Sequence, residues 1–169
     1  MFKLMIIKHF EIKKKDLSAF NFFLIYGKNE GLKKEILEKN ILNNINGQIF
    51  KYDEIEFINN YSTILDEILN KSLFEDKKII IISRASEKIF KFVNEINIKN
   101  ISDIKIIINS NLLDKKSKLR SLFEKDKSLV VIPVYEDNLR DLTSIVLNFI
   151  NKNNIKLSRE CINLIVNRA

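Results

Sequence analysis

The stretch Phe22-Phe23-Leu24-Ile25-Tyr26-Gly27-Lys28-Asn29-Glu30-Gly31-Leu32-Lys33-Lys34 has the outline of a phosphate-binding loop. Its first five residues are an unbroken apolar run, as in a strand buried on both faces, and Gly27 ends it. A helix is expected to begin near Gly31. A working loop follows its strand with G-x-x-x-x-G-K-[ST], so that backbone amides cradle phosphates and a hydroxyl holds Mg²⁺. Counted from Gly27, the second glycine is replaced by Leu32, the lysine is Lys33, and the Ser/Thr position holds Lys34. A bulky side chain thus stands where backbone must come close, and the metal-ligating hydroxyl is missing. The layout is that of an ATPase ancestor; the residues argue against hydrolysis.

Four more short apolar runs follow, at Gln48–Asp53, Ile79–Ser83, Ile104–Asn109 and Leu129–Val134. None shows regular polar alternation, so all five runs are predicted as strands covered on both faces. Helical patterns lie between them. Leu32, Ile36, Leu37, Ile41 and Leu42 form one stripe, and Ile64, Leu65, Ile68 and Leu69 another, with Ser62 or Thr63 as N-cap. Ile89, Phe92, Val93 and Ile96 form a third after Ser86; Leu119, Leu122 and Phe123 a fourth. Strands alternating with helices predict an α/β fold, a parallel sheet with helices on its faces. Leu4-Met5-Ile6-Ile7 is a candidate edge strand, and Pro133, the only proline, suits a strand end or an edge.

After Tyr135-Glu136-Asp137 the pattern changes. Leu139, Leu142, Ile145, Val146, Phe149 and Ile150 form a helical face, and a second helix follows with Ser158 as N-cap and a Leu157–Ile162 staple. Two helices without an intervening strand start an all-helical unit at residue 139. It ends too early to close a core of its own, so the chain is expected to be cut inside its second domain.

Composition excludes several chemistries. At 169 residues and 46% hydrophobic content, one full domain with a core is expected. Cys161 is the lone cysteine and His9 the lone histidine, which removes disulfide frameworks, Cys-rich metal sites and His-pair ligation. No metal or other cofactor is expected. No run approaches the roughly 18 apolar residues of a membrane span, and the apolar start is followed by Lys13-Lys14-Lys15 rather than a cleavage site. A cytoplasmic protein with no membrane partner is expected. The net charge is +7 and the pI about 9.4. Lys, Asn and Ile dominate throughout, as in chains from AT-rich genomes, so solvated surface lysine accounts for the charge better than an anionic partner does.

Three further places carry chemistry. Active nucleotide hydrolysis needs an acid after a second strand, yet Ile79-Ile80-Ile81-Ile82 runs into Ser83-Arg84-Ala85 with no Asp or Glu. Before that strand, Leu73 and Phe74 lie between charged and polar neighbours. Folding back as core residues that cap the helix is the default; adjacent helical residues point about 100° apart, so both do not easily face one core, which tilts the pair modestly toward exposure of at least one as an apolar plug. Lys115, Lys116, Lys118 and Arg120 open a helix; solvated surface is the default and a phosphate-backbone contact the alternative. Asn109 and Asn111 fit either a vestigial nucleotide-sensing position or a plain strand-end turn.

Together these residues resemble the delta subunit of bacterial DNA polymerase III, a clamp-loader component. The likeness runs, in order, through Leu24-Ile25-Tyr26-Gly27 with Asn29-Glu30-Gly31-Leu32; Ser72-Leu73-Phe74 before the Ile79 strand; Leu113-Asp114-Lys115-Lys116-Ser117-Lys118-Leu119-Arg120; and Tyr135-Glu136-Asp137 with Leu157-Ser158-Arg159-Glu160. It implies an AAA+-like first domain over residues 1–138, the start of a helical lid at 139–169, and a collar domain beyond the chain. It also implies a degenerate nucleotide loop and no catalysis by this chain within the polymerase holoenzyme. Leu73 and Phe74, with Ser72, match the family's sliding-clamp-binding pair. The implied partners are the beta sliding clamp, the tau/gamma and delta-prime subunits, and DNA in the assembled complex. The zinc-ligating cysteines of delta-prime are not found. An active P-loop ATPase is one competing class. A helix-turn-helix DNA binder using Arg159, Asn163, Asn167 and Arg168 is another, although its loop, Asn151–Lys156, is long for that motif.

Overall fold

The computed structural model describes residues 6–8, 11–12, 15–44, 47–69, 77–99 and 104–168, without the side chains of 44, 68 and 69. The chain divides after Val134 into two compact units.

In the first unit, five strands form one parallel sheet: β1 (Phe22–Gly27), β2 (Gln48–Asp53), β3 (Lys78–Ala85), β4 (Ile104–Ser110) and β5 (Leu129–Val134), in the order β2-β3-β4-β1-β5. β1, β4 and β5 are the Ile/Val/Leu/Phe-rich runs expected of strands covered on both faces, and β1 and β5 are buried throughout. β2 departs from that expectation. It is an edge strand, Ile49 is exposed, and no residue of it is buried. Its Gln-Ile-Phe-Lys-Tyr-Asp sequence, with polar residues at alternate ends, suits an edge. Pro133 lies on β5, at the other end of the five-strand order, a position that suits a residue without an amide. Ile6 bridges Val131 in parallel, and the Ile7 amide donates to the Val131 carbonyl at 2.9 Å, so part of the expected N-terminal strand flanks β5; Leu4 and Met5 lie outside the described residues.

Strand residues alternate between two cores. Phe22, Leu24, Tyr26, Ile80, Ile82, Ile106 and Ile108 face α2 (Glu54–Asn59), α3 (Tyr61–Leu69), α4 (Phe90–Ile98) and α5 (Lys118–Lys125). Phe23, Ile25, Ile81, Ile107 and Ile132 pack with Ile7, Ile12, Leu17, Ile36 and Ile41 on the opposite face. Each such aliphatic side chain, fully buried, contributes about 1.5–3 kcal/mol.

Two helical expectations need correction. α2 starts directly from β2, with no breaker between, and was not foreseen. Ser62 and Thr63 are not N-caps, because α3 begins at Tyr61 and both lie inside it. The first stripe is also less regular than its spacing suggests. α1 is α-helical only over Glu30–Glu35, widens to i→i+5 bonding over Ile36–Ile41, and tightens to a 3-10 turn at Leu42–Asn44. Residues five apart differ by about 140° on an α-helix but fall within about one turn when bonds run to i+5. The widening thus lets Ile36 and Ile41 both bury.

The second unit holds α6 (Leu139–Lys152) and α7 (Arg159–Arg168). Asn138 and Asp141 cap α6 reciprocally, a capping box the apolar pattern did not reveal. Asn154, left-handed at φ 53°, turns the chain, and the Ser158 hydroxyl accepts from the Cys161 amide at 3.3 Å, as expected of a cap. Ile150 and Val166 are buried, whereas Leu139, Ile145, Phe149 and Leu164 are exposed.

Candidate functional site

In this topology α1 leaves β1 on one face while the β4-to-β5 connection passes over β1. The carboxyl ends of β1 and β4 therefore flank the switch point where open α/β sheets bind ligands. Gly27 stands there at φ 141°. A Cβ on it would lie 1.7 Å from the Val134 carbonyl oxygen, so only glycine allows β5 to pass so close.

Only Lys28 and Asn29 separate β1 from α1, and the helix starts at Glu30, one residue before the expected Gly31. The Asn29 side chain accepts from the Leu32 amide at 2.9 Å, and the Asn29 carbonyl accepts from the Lys33 amide at 3.0 Å. Two amides that a phosphate would need already have acceptors. Lys33, the lysine of the motif, is 2% exposed. Its ammonium donates to the Ser110 carbonyl at the end of β4, at 2.9 Å, and pairs with the Glu30 carboxylate at 2.7 Å. Glu30 brings negative charge to the helix N-terminus, where a phosphate would have to sit. Gly31 and Lys34 are exposed and Leu32 is half-buried. Sequence spacing placed Lys33 at the motif position but gave no sign of its partners.

The end of β3 holds a second polar cluster. Arg84, left-handed at φ 54°, sits where the β3–β4 register shifts, and it pairs with Asp53 at the end of β2. The buried Glu54 carboxylate accepts from the Ser86 amide at 2.6 Å and from its hydroxyl at 2.7 Å. Ser110 donates its hydroxyl to the Ala85 carbonyl, joining the ends of β3 and β4. Asn109, half-buried on the α1 side, has a side-chain oxygen with no partner among the described residues; Asn111 is exposed.

The basic run divides. Lys115, Lys116 and Lys118 are exposed. Arg120 turns inward: its Nε donates to Glu124 at 2.7 Å, a terminal nitrogen donates to the Leu113 carbonyl at 3.3 Å, and the guanidinium lies 5.2 Å from the Tyr26 ring centre. The α5 N-terminus, an anion site by geometry, already has an anion. Ser117 caps it through the Arg120 amide at 3.0 Å, and Glu87 accepts from the Ser117 hydroxyl, the Lys118 amide at 3.1 Å and the Leu119 amide at 3.4 Å. Ser72, Leu73 and Phe74 lie outside the described residues. Among the described residues no group of acidic, His or Cys side chains could hold a metal ion, and no helix is long and apolar enough to cross a membrane.

A five-stranded parallel sheet in this order, with helices on both faces and a strand–glycine–helix element at its switch point, is an AAA+-type P-loop fold. Solved structures agree. Domain III of the replication initiation protein DnaA from Thermotoga maritima superposes with a TM-score of 0.54 at 16% identity, over 94% of this chain and 72% of that one. The Bacillus subtilis DNA clamp loader delta protein gives a TM-score of 0.60 at 13% identity, over 90% and 49%. AMPPCP-bound DnaA from Aquifex aeolicus gives 0.52 at 12% identity, over 94% and 54%. The chain thus spans about half the length of the last two. At these identities the likeness is one of fold. No protein-family model matches the chain, and no curated protein matches it in sequence.

Proposed function

We propose that this chain acts in DNA replication as the delta-type subunit of a sliding-clamp loader, binding and opening the clamp without hydrolysing ATP. The observation that carries the non-hydrolytic part is Lys33: its ammonium is held by Ser110 and Glu30, and Leu32 and Lys34 replace the residues that would seat phosphate and Mg²⁺. The replication role draws support from fold likeness to an initiator and a clamp-loader subunit. The clamp-specific part rests on the match at Ser72-Leu73-Phe74. In this reading residues 1–138 form the clamp-binding domain and 139–169 begin a lid. The partners are the clamp, the tau/gamma and delta-prime subunits, and DNA in the assembled complex.

Leu73 and Phe74 enter an apolar clamp pocket and act as the hot spot, each burial contributing about 1.5–3 kcal/mol. Such a binder opens a ring only by preferring its open form. Pull-down of a bacterial sliding clamp should collapse for the Leu73→Ala, Phe74→Ala double variant while circular dichroism is unchanged. Retained clamp binding by that variant would overturn the plug. An active P-loop ATPase, the competing reading, instead predicts ATP binding measurable by isothermal titration.

A further inference from the structure

One face of α5 turns toward solvent, with Leu122 at its margin packed in part against the core. Leu119 and Phe123 point inward and are fully buried. Lys118, Ser121, Leu122 and Lys125 fall at i, i+3, i+4 and i+7, a single stripe along the helix. With Phe90 at the start of α4, this stripe lines an open basin of about 790 Å³. Phe90 and Leu122, both half-buried, provide an apolar floor. Lys116 before the helix and Lys127 after it complete a rim of four lysines, of which Lys127 has an interaction of its own; the one carboxylate among the described lining residues is Asp126. That carboxylate is already engaged, accepting from the Ser128 backbone amide at 2.9 Å, the Ser128 hydroxyl at 2.6 Å and the Asn97 side-chain amide at 3.3 Å.

We propose that this basin binds an acidic peptide segment with an apolar anchor. The anchor rests on Phe90 and Leu122, and its flanking carboxylates face Lys116, Lys118, Lys125 and Lys127. An apolar centre inside a charged rim is the anatomy of a protein interface, with the floor giving affinity and the rim selecting partners by sign. Nucleic acid fits less well. Phe90 is the only aromatic ring in the lining, so successive bases have no platform. The neighbouring helix N-terminus, the natural phosphate seat, is occupied by Glu87. This surface is separate from Leu73 and Phe74, and the proposal stands or falls without the clamp.

The test is fluorescence anisotropy of the intact chain with a fluorescein-labelled peptide of aspartates around a single phenylalanine. Replacing that phenylalanine with serine should weaken binding about tenfold or more, as should the Lys116→Glu, Lys125→Glu double variant. Amide shifts in the unaltered protein should map to Phe90, Ser121 and Leu122, which keeps the test sound should the variant misfold. Three outcomes would overturn the proposal: no binding at millimolar peptide, equal binding by the charge-reversed variant, or an oligo-dT strand that shifts these amides while the peptide does not.

Discussion

The Lys33 ammonium donates to the Ser110 carbonyl across 2.9 Å, binding the first helix of the fold to the end of β4. The lysine that an active loop would aim at a phosphate instead braces two secondary-structure elements, 77 residues apart in sequence. Burying the long side chain is tolerable because Glu30 supplies the counter-charge at 2.7 Å.

Lys33 is therefore expected to matter for stability and not for nucleotide affinity. Lys33→Ala removes a charge-assisted bond to a buried carbonyl and should cost about 2–3 kcal/mol in urea unfolding. Isothermal titration with MgATP should be flat for the unaltered protein and the variant alike. Saturable heat in the unaltered protein, lost in Lys33→Ala, would show instead that the lysine leaves Ser110 to meet phosphate.

Glu87 leads to a second prediction. Its carboxylate meets the α5 N-terminus, accepting from the Lys118 and Leu119 amides and the Ser117 hydroxyl. Charge at a helix start and satisfied end amides both stabilise. Glu87→Ala should lower stability by about 0.5–2 kcal/mol, a typical loss for a cap. Glu87→Gln, keeping an acceptor but not the charge, should recover part of it. The same Glu87→Ala change should raise affinity for inorganic sulfate, followed by amide shifts at Lys118 and Leu119. Unmoved amides across a sulfate titration would show that Glu87 is not what keeps anions from this helix end.

The strands were legible because an Ile-rich run such as Ile79–Ile82 fits only a buried position, and the parallel sheet followed from strands alternating with helical stripes. Two limits have physical causes. α2 continues from β2 with neither glycine nor proline at the junction, and Glu54-Ile55-Glu56-Phe57 gives too short a stripe to show a period. The partners of Lys33, Glu54 and Glu87 lie tens of residues away, at Ser110, Ser86 and Ser117, and no local pattern encodes a contact of that span. The departure from the phosphate-loop pattern at Leu32 and Lys34 could be read in the sequence; the partners of Lys33 could not.

Lys105 ties stability to pH. It is 2% exposed, with its ammonium 4.9 Å from the Phe23 ring centre and 3.5 Å from the Ser18 carbonyl, which accepts from it. Burial, reinforced by the charge of Lys77 and opposed by Asp16, pushes its pKa down from 10.5 to about 8. A lysine depressed in the folded state binds fewer protons there than in the unfolded chain between those two values, so its contribution to stability rises with pH across that window. Below pH 8 the fold must instead hold a charged ammonium that burial disfavours. Lys105→Met, similar in shape and uncharged, should be more stable than the parent at pH 6.5 by about 1–3 kcal/mol. That advantage should shrink through pH 8 and be largely gone by pH 10.5. Urea titrations of both proteins at several pH values decide the matter, and an advantage that stays constant would show that packing against Phe23, not the buried charge, sets the difference.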